Sequence, residues 1–220
     1  MPQPGQMILS ASITGLGQHL GAWMARDGEA SDFVNPDMYL DIARTAERAK
    51  LQAIFFADAI TLADGGTTRP APALAPTLVL SLMAAVTSRI GLVATGSTSF
   101  SAPYTLAPSF GSLDHLSRGR AGWNAVATMI AASAAQFGGA SMPDHDSRYA
   151  RAEEFLDVAI GLRDSWEEGA LVGDKVNAIF ADAAKVHKIN HVGEQFTVQG
   201  TAPIPAFTSR PTSHLPGRCI

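Results

Sequence analysis

The chain has 220 residues, of which 46% are hydrophobic and 16% charged, with a formal net charge of −4 and a single cysteine, Cys219. That length and composition describe a folded chain with a sizeable core, as one large domain or two small ones, and exclude a disordered one. Mild acidity without a basic cluster argues against nucleic acid and anionic membranes as partners, and one cysteine allows no internal disulfide and suits a reducing compartment.

The N-terminal "MPQPGQMILSAS" has no basic residue ahead of its apolar part, so it does not read as a signal peptide, and a cytoplasmic setting is expected. The apolar run "MILSASI" (7–13) reads as a first strand. A helix follows over 36–50: Asn35 caps it, Pro36 takes its first position, and Met38, Ile42, Ala46 and Ala49 recur on one face. "AIFFAD" (53–58) is the second strand. The longest apolar run, "ALAPTLVLSLMAAV" from Ala73, is broken by Pro76, Thr77 and Ser81; it is too short to cross a bilayer and reads as a helix over 74–88.

"IGLVATGS" (90–97) is the third strand. A helix over 104–117 comes next, with Pro108 in its first turn, where proline is tolerated. "AGWNAVAT" (121–128) is the fourth strand, and a helix over 147–166 buries Phe155, Val158, Ile160 and Leu162, with Glu153 and Glu154 near its start. Beyond it, residues 168–200 are polar, mixed and weakly periodic, and read as an insertion-like segment with a hairpin over 192–198. The last stretch, 201–220, holds four prolines and no periodicity, and reads as an irregular tail.

Strands alternating with helices indicate βαβ units and a parallel sheet, either a doubly wound open sheet or a (β/α)8 barrel. In both, function gathers where strands end and loops begin. Asp58 stands at such an end and could accept hydrogen bonds from a ligand or cap the next loop. "ATGSTSF" offers small and hydroxyl side chains, which let a ligand approach the backbone or form an ordinary loop. Asn124 places an amide in an apolar strand, and a buried amide needs partners from the fold or from a ligand.

In "DHDSRY", His145 and Tyr149 are one helical turn apart and could address one site, or sit solvated at the surface. His187 and His191 share that spacing, but the residues between lack a glutamate and look non-helical, so zinc is not expected. The chain has no GxGxxG, GxxxxGK[ST] or GxSxG element. Composition, spacing and periodicity thus reach a parallel α/β chain with a small-molecule site at its strand ends.

Four stretches together carry a resemblance: "GAWMARDGEASDFVNPDMYLDIARTAERAKLQAIFFAD", "SLDHLSRGRAGWNAV", "DHDSRYARAEEFLDV" and "FADAAKVHKINHVGEQFTVQG". They resemble the flavin-dependent monooxygenases of the nitrilotriacetate and dibenzothiophene-sulfone type, within the bacterial luciferase-like group, from about residue 15 to 200. The resemblance implies a (β/α)8 TIM barrel, here its first four βα units (1–167) plus an irregular C-terminal part. It also implies reduced FMN (FMNH2) as co-substrate, delivered by a separate NAD(P)H-dependent flavin reductase, with molecular oxygen used to oxygenate a small organic substrate.

Carried over by position, the flavin-site residues are Asp58, Thr98, Asn124, His145 and Tyr149; no catalytic residue and no metal ligand is assigned. A homo-oligomer is expected. Where the family follows "GWN" with "VVTS", Val126-Ala127 stands in place of Val-Thr and removes a hydroxyl. Members of that family are much longer, and the proline-rich ending reads like a truncated or out-of-frame product. The alternative expectation is therefore an inactive fragment that is stable only in association with another chain, since half a barrel leaves strand edges unpaired.

Overall fold

The computed structural model describes residues 7–58, 60–62, 74–139 and 141–205. The four apolar runs form β1 (Ser10–Ile13), β2 (Ala53–Phe56), β3 (Gly91–Ser97) and β4 (Ala121–Val126), parallel throughout and hydrogen-bonded in the order β1-β2-β3-β4. Between them run α1 (Ala22–Ala25), α2 (Pro36–Arg48), α3 (Pro76–Ala84) and α4 (Pro103–Ser117), and after β4 come α5 (Ser133–Gln136) and α6 (His145–Arg163). A doubly wound sheet reverses its strand order at a switch point, whereas a barrel wall adds each strand beside the last. The sequential order found here is that of a barrel wall. Among the described residues β1 and β4 each have one neighbour.

Each element follows from its residues, with some shifts from the sequence reading. β1 begins at Ser10 rather than Met7, and Met7, Ile8 and Leu9 are 74%, 40% and 50% exposed. In α2 the Asn35 side chain accepts from the Asp37 N–H at 3.0 Å, with Pro36 in the first turn, as the sequence suggested. Its buried stripe is Tyr39, Ala43 and Ala46; Met38 and Ile42 flank the core, and Ala49 is exposed. The stripe turns toward Tyr39 because its ring fills the core against Phe56 while its hydroxyl donates to the Phe33 carbonyl.

Pro108 does not lie in a first turn. Pro103 takes that place after the cap residue Ala102, so Pro108 falls inside α4, where its missing N–H leaves one rung of the helix unmade. α4 then stops at two residues in left-handed conformation, Arg118 (φ 58°) and Gly119 (φ 81°), whose N–H groups return to the His115 and Asp114 carbonyls. This turn is the work of the glycine in "SRGR". α6 is capped by Asp144, which accepts from the Ser147 N–H and hydroxyl. It buries Phe155, Val158, Ala159 and Leu162, with Ile160 only half-buried, and Glu153 and Glu154 sit mid-helix rather than near its start.

The turn between α3 and β3 is held from two sides. Glu47 on α2 accepts from the N–H groups of Ser88, Arg89 and Ile90 at 2.9, 2.6 and 3.2 Å. From the opposite side Arg120 donates to the carbonyls of Ala84, Thr87 and Ile90, to the Thr87 hydroxyl and to the Ser117 carbonyl. Burial pushes the Glu47 carboxyl up, but its three N–H donors and the Arg89 charge outweigh that and hold it below the ordinary value. A depressed folded-state value means stability present above the ordinary glutamate range and lost as pH falls through it. Thermal melts should therefore show Glu47→Gln less stable than the parent at neutral pH, with the gap narrowing below about pH 4.3.

Beyond α6, β5 (Leu171–Asp174) and β6 (Ile179–Ala181) form one antiparallel pair, and β7 (His191–Val192) and β8 (Thr197–Val198) form another, at the place where the sequence suggested a hairpin. His187 and His191 go to different carboxylates, Glu167 and Glu154. Residues 201–205 are tied down: the Thr201 carbonyl accepts from the Tyr104 hydroxyl, and the Ala202 carbonyl from the Trp166 indole. Cys219 and the rest of the expected tail lie outside the described residues. Among the described residues no helix is long and apolar enough to cross a membrane, and no group of three or more potential metal ligands clusters.

Candidate functional site

Parallel pairing brings the C-terminal ends of the strands to one rim. Thr95 on β3 faces Asn124 on β4, and Ser97 faces Val126. Between Thr95 and Ser97, Gly96 makes a close contact on the side of α4. A Cβ there would lie 2.8 Å from the Trp123 indole nitrogen and 3.0 Å from Leu106, so only glycine lets the indole donate to the Gly96 carbonyl at 3.2 Å. Trp123 itself is 5% exposed and packs between Phe110 and Phe155.

At the strand ends is a cavity of about 480 Å³, within the range of small-molecule sites. Polar groups of Asp58, Thr95, Ser97, Thr98, Thr128 and Tyr149 reach its lining, and Ile60, Val126, Met129, Ile130 and Leu156 supply apolar surface. The hydroxyls form a network. Ser97 Oγ and Thr128 Oγ1 are 2.7 Å apart, Thr98 Oγ1 donates to the Val126 carbonyl, and Ser99 Oγ accepts from the Thr128 N–H. Thr128 thus brings a hydroxyl to the rim one residue after Ala127, where the motif had lost one.

Of the five residues singled out in the sequence, Asp58, Thr98 and Tyr149 line this cavity. Asp58 is exposed, Thr98 is 1% exposed and Tyr149 53%. Asn124 is half-buried rather than buried, and its amide is satisfied by the fold, donating to Thr95 Oγ1 at 3.1 Å. His145 stands at the first position of α6; its ring stacks on Tyr149 at 4.5 Å between centroids, and its Nδ1 lies 2.9 Å from Asp146 Oδ1. Six lining residues were missed: Ile60, Met129 and Ile130 just beyond the strand ends, and Ala152, Glu153 and Leu156 on α6. The last three follow Tyr149 at helical spacing, so extending its face by two turns would have found them.

An aromatic ring, hydroxyls, the carboxylates of Asp58 and Glu153 and apolar side chains suit a planar heteroaromatic ligand with polar edges, such as the ring system of a flavin. The described lining holds no lysine or arginine, so a phosphate would take its partners elsewhere.

Comparison with known proteins agrees with this geometry. The profile of the luciferase-like monooxygenase family matches residues 18–216. The N-acetyl-S-(2-succino)cysteine monooxygenase of Bacillus subtilis (strain 168) is 42% identical over 89% of this chain and 44% of its own length. Component A of the nitrilotriacetate monooxygenase of Aminobacter aminovorans is 40% identical over 91% and 47%. Among solved structures, a riboflavin lyase with modified FMN and riboflavin superposes with a TM-score of 0.78 at 35% identity, covering 90% of this chain and 46% of that one. The chain spans about half the length of the relatives it matches. Its parallel four-stranded wall is the fold of their TIM barrels. The chain belongs to the luciferase-like monooxygenase family.

Proposed function

We propose that this chain carries the cofactor-facing part of an FMN-dependent, two-component monooxygenase. The observation that carries this reading is the cavity at the strand ends, where Asp58, Thr98 and Tyr149 meet although they lie far apart in sequence. Support comes from relatives named as monooxygenases, one of them as a component A, and from a solved neighbour with modified FMN. Reduced FMN supplies the oxygen-activating chemistry when bound, and this chain's residues orient the ring and exclude water from it. Tyr149 and Thr98 would hold the ring, Asn124 would act through Thr95, and His145 would act by stacking on Tyr149.

A separate NAD(P)H-dependent reductase would supply FMNH2, a small organic molecule would be oxygenated with O2, and the setting would be the cytoplasm. Residues 168–200 are read as an insertion, since both of their ladders lie off the barrel sheet. A second reading, activity only on association with other strands or with a second copy, is favoured by the single neighbour of β4 and by Met129 and Ile130, which are 77% and 45% exposed.

Anaerobic titration with reduced FMN tests the proposal, and oxygenating turnover with a flavin reductase by this chain as a monomer would remove the second reading. Tyr149→Ala should weaken binding by about 5- to 100-fold, the loss of roughly 1–3 kcal/mol of ring contact and hydrogen bonding. His145→Ala, which acts through the stack, should weaken it by about fivefold, equivalent to roughly 1 kcal/mol. Both side chains are exposed, so the melting temperature of the flavin-free protein should move by only about 1–2 °C. Unchanged flavin affinity in both variants would remove the pair from the site.

A further inference from the structure

The rim of the cavity extends beyond the ladder that builds it. β3 ends at Ser97, and the segment after it carries Thr98 into the cavity lining and Ser99 toward β4. Three carbonyls of this segment converge on one side chain from another element. The Arg151 Nε lies 3.2 Å from both the Thr98 and Ser99 carbonyls, and its Nη2 lies 3.3 Å from the Ser101 carbonyl.

The same guanidinium lies over the Phe196 ring, 4.4 Å from its centroid, and Phe196 meets Phe155 of the core edge-on. One helical turn along α6, Glu154 fixes that ring's backbone. Its carboxylate accepts from the N–H groups of Gln195 and Phe196 at 2.9 and 2.8 Å and pairs with His191 Nε2 at 3.0 Å. Arg151 is therefore held between the short hairpin β7–β8 and the rim of the cavity.

We infer that Arg151 is a positioning residue of the cavity, fixing the segment after β3 so that the hydroxyls of Ser97, Thr98 and Ser99 keep their register with β4. The inference rests on the flavin reading of that cavity. Its physical basis is the guanidinium itself, which is planar, permanently charged and able to present several N–H donors in a fixed fork. Three carbonyls from four consecutive residues take their donors from it, so the path of that backbone follows its plane. The consequence travels one step further. Ser99 Oγ holds the Thr128 N–H, and Thr128 Oγ1 meets Ser97 Oγ, so a shift of the segment moves hydroxyls on both strands of the lining. Phe196 forms the backing, since a cation over an aromatic face is attracted to it and is kept from swinging away.

The test uses Arg151→Met and Arg151→Lys with two readouts, amide hydrogen exchange in the flavin-free protein and FMN affinity. Arg151→Met should speed exchange at Thr98, Ser99 and Thr128 about tenfold or more, since those amides then open locally, while Leu92 at the far end of β3 keeps its protection. FMN affinity should fall about tenfold, equivalent to roughly 1.4 kcal/mol, because the rim hydroxyls leave their positions. Arg151→Lys keeps the charge without the fork, and should lie between methionine and the parent on both readouts; should Arg151→Met not fold, the lysine variant decides alone. Exchange at Thr98, Ser99 and Thr128 equal to the parent, or raised no more than at Leu92, would overturn the inference. If the parent fails to bind FMN, the functional reading falls, and the exchange rates still decide whether Arg151 positions the rim.

Discussion

Arg120→Met lowers the stability of the folded chain by roughly 3–4 kcal/mol, the upper range for a single substitution. The guanidinium makes five hydrogen bonds, to the carbonyls of Ala84, Thr87, Ile90 and Ser117 and to the Thr87 hydroxyl. Ile90, Ala84 and Thr87 are 1%, 6% and 9% exposed, so water reaches their carbonyls poorly once the donor is gone. Methionine fills much of the same space, which isolates the lost donors from a cavity effect. For a chain of this size the loss corresponds to a fall of roughly 6–15 °C in melting temperature. Arg120→Lys should recover less than half of it, because an ammonium group cannot reach carbonyls spread across a guanidinium plane. Denaturant titration of the three proteins checks the order. Equal midpoints for parent and methionine variant would show that the five contacts contribute nothing net.

Trp123→Ala is expected to cost about 3–5 kcal/mol, the usual range for removing a large buried aromatic. The indole packs at 5.0 Å from Phe110 and 5.8 Å from Phe155, and both packing partners belong to the same core. The loss would reach the cavity as well. Gly96 sits between Thr95 and Ser97, which line it, and without the indole its carbonyl loses a donor and the space above it opens. Trp123→Phe keeps a ring but not the N–H, and should cost about 1–2 kcal/mol. Comparing the two variants by denaturation and by FMN titration separates the effects: alanine should weaken both stability and flavin affinity, phenylalanine mainly the first.

The alternation of strands and helices was legible because each boundary has a local chemical cause. Asn35-Pro36 starts α2, and Arg118-Gly119 ends α4 through two left-handed residues. The choice between an open sheet and a barrel was not settled by periodicity, since both give βαβ units; strand order settles it, and that is a long-range property. Pro108 was misplaced because Pro103, five residues earlier, is the proline that takes the first turn. The pairing of β5 with β6 escaped notice because its turn, over 175–178, is closed by Asp174 accepting from Val176 and Asn177 rather than by a glycine.

At the cavity, Asp58 and Tyr149 drew attention by position, at a strand end and one helical turn from His145, and Thr98 by family resemblance within a stretch of small and hydroxyl residues. Arg151 was not found, because its partners are backbone carbonyls 50 to 53 residues away and a carbonyl leaves no trace in a sequence. Asn124 shows the same limit from the other side. The strand and the amide were visible, but the Thr95 hydroxyl that satisfies it depends on register.

The grip of Glu47 and Arg120 on the turn before β3 bears on how such a protein can diverge. It holds the end of the strand at Gly91, whereas Ser97 and Thr98 meet the cavity at the other end, roughly 20 Å away at the rise of an extended chain. Substitutions that far apart act additively on folding free energy. A lineage can therefore exchange residues around the cavity while the anchoring of the strand is left untouched. The robustness that tolerates change at the rim is built at the opposite end of the sheet.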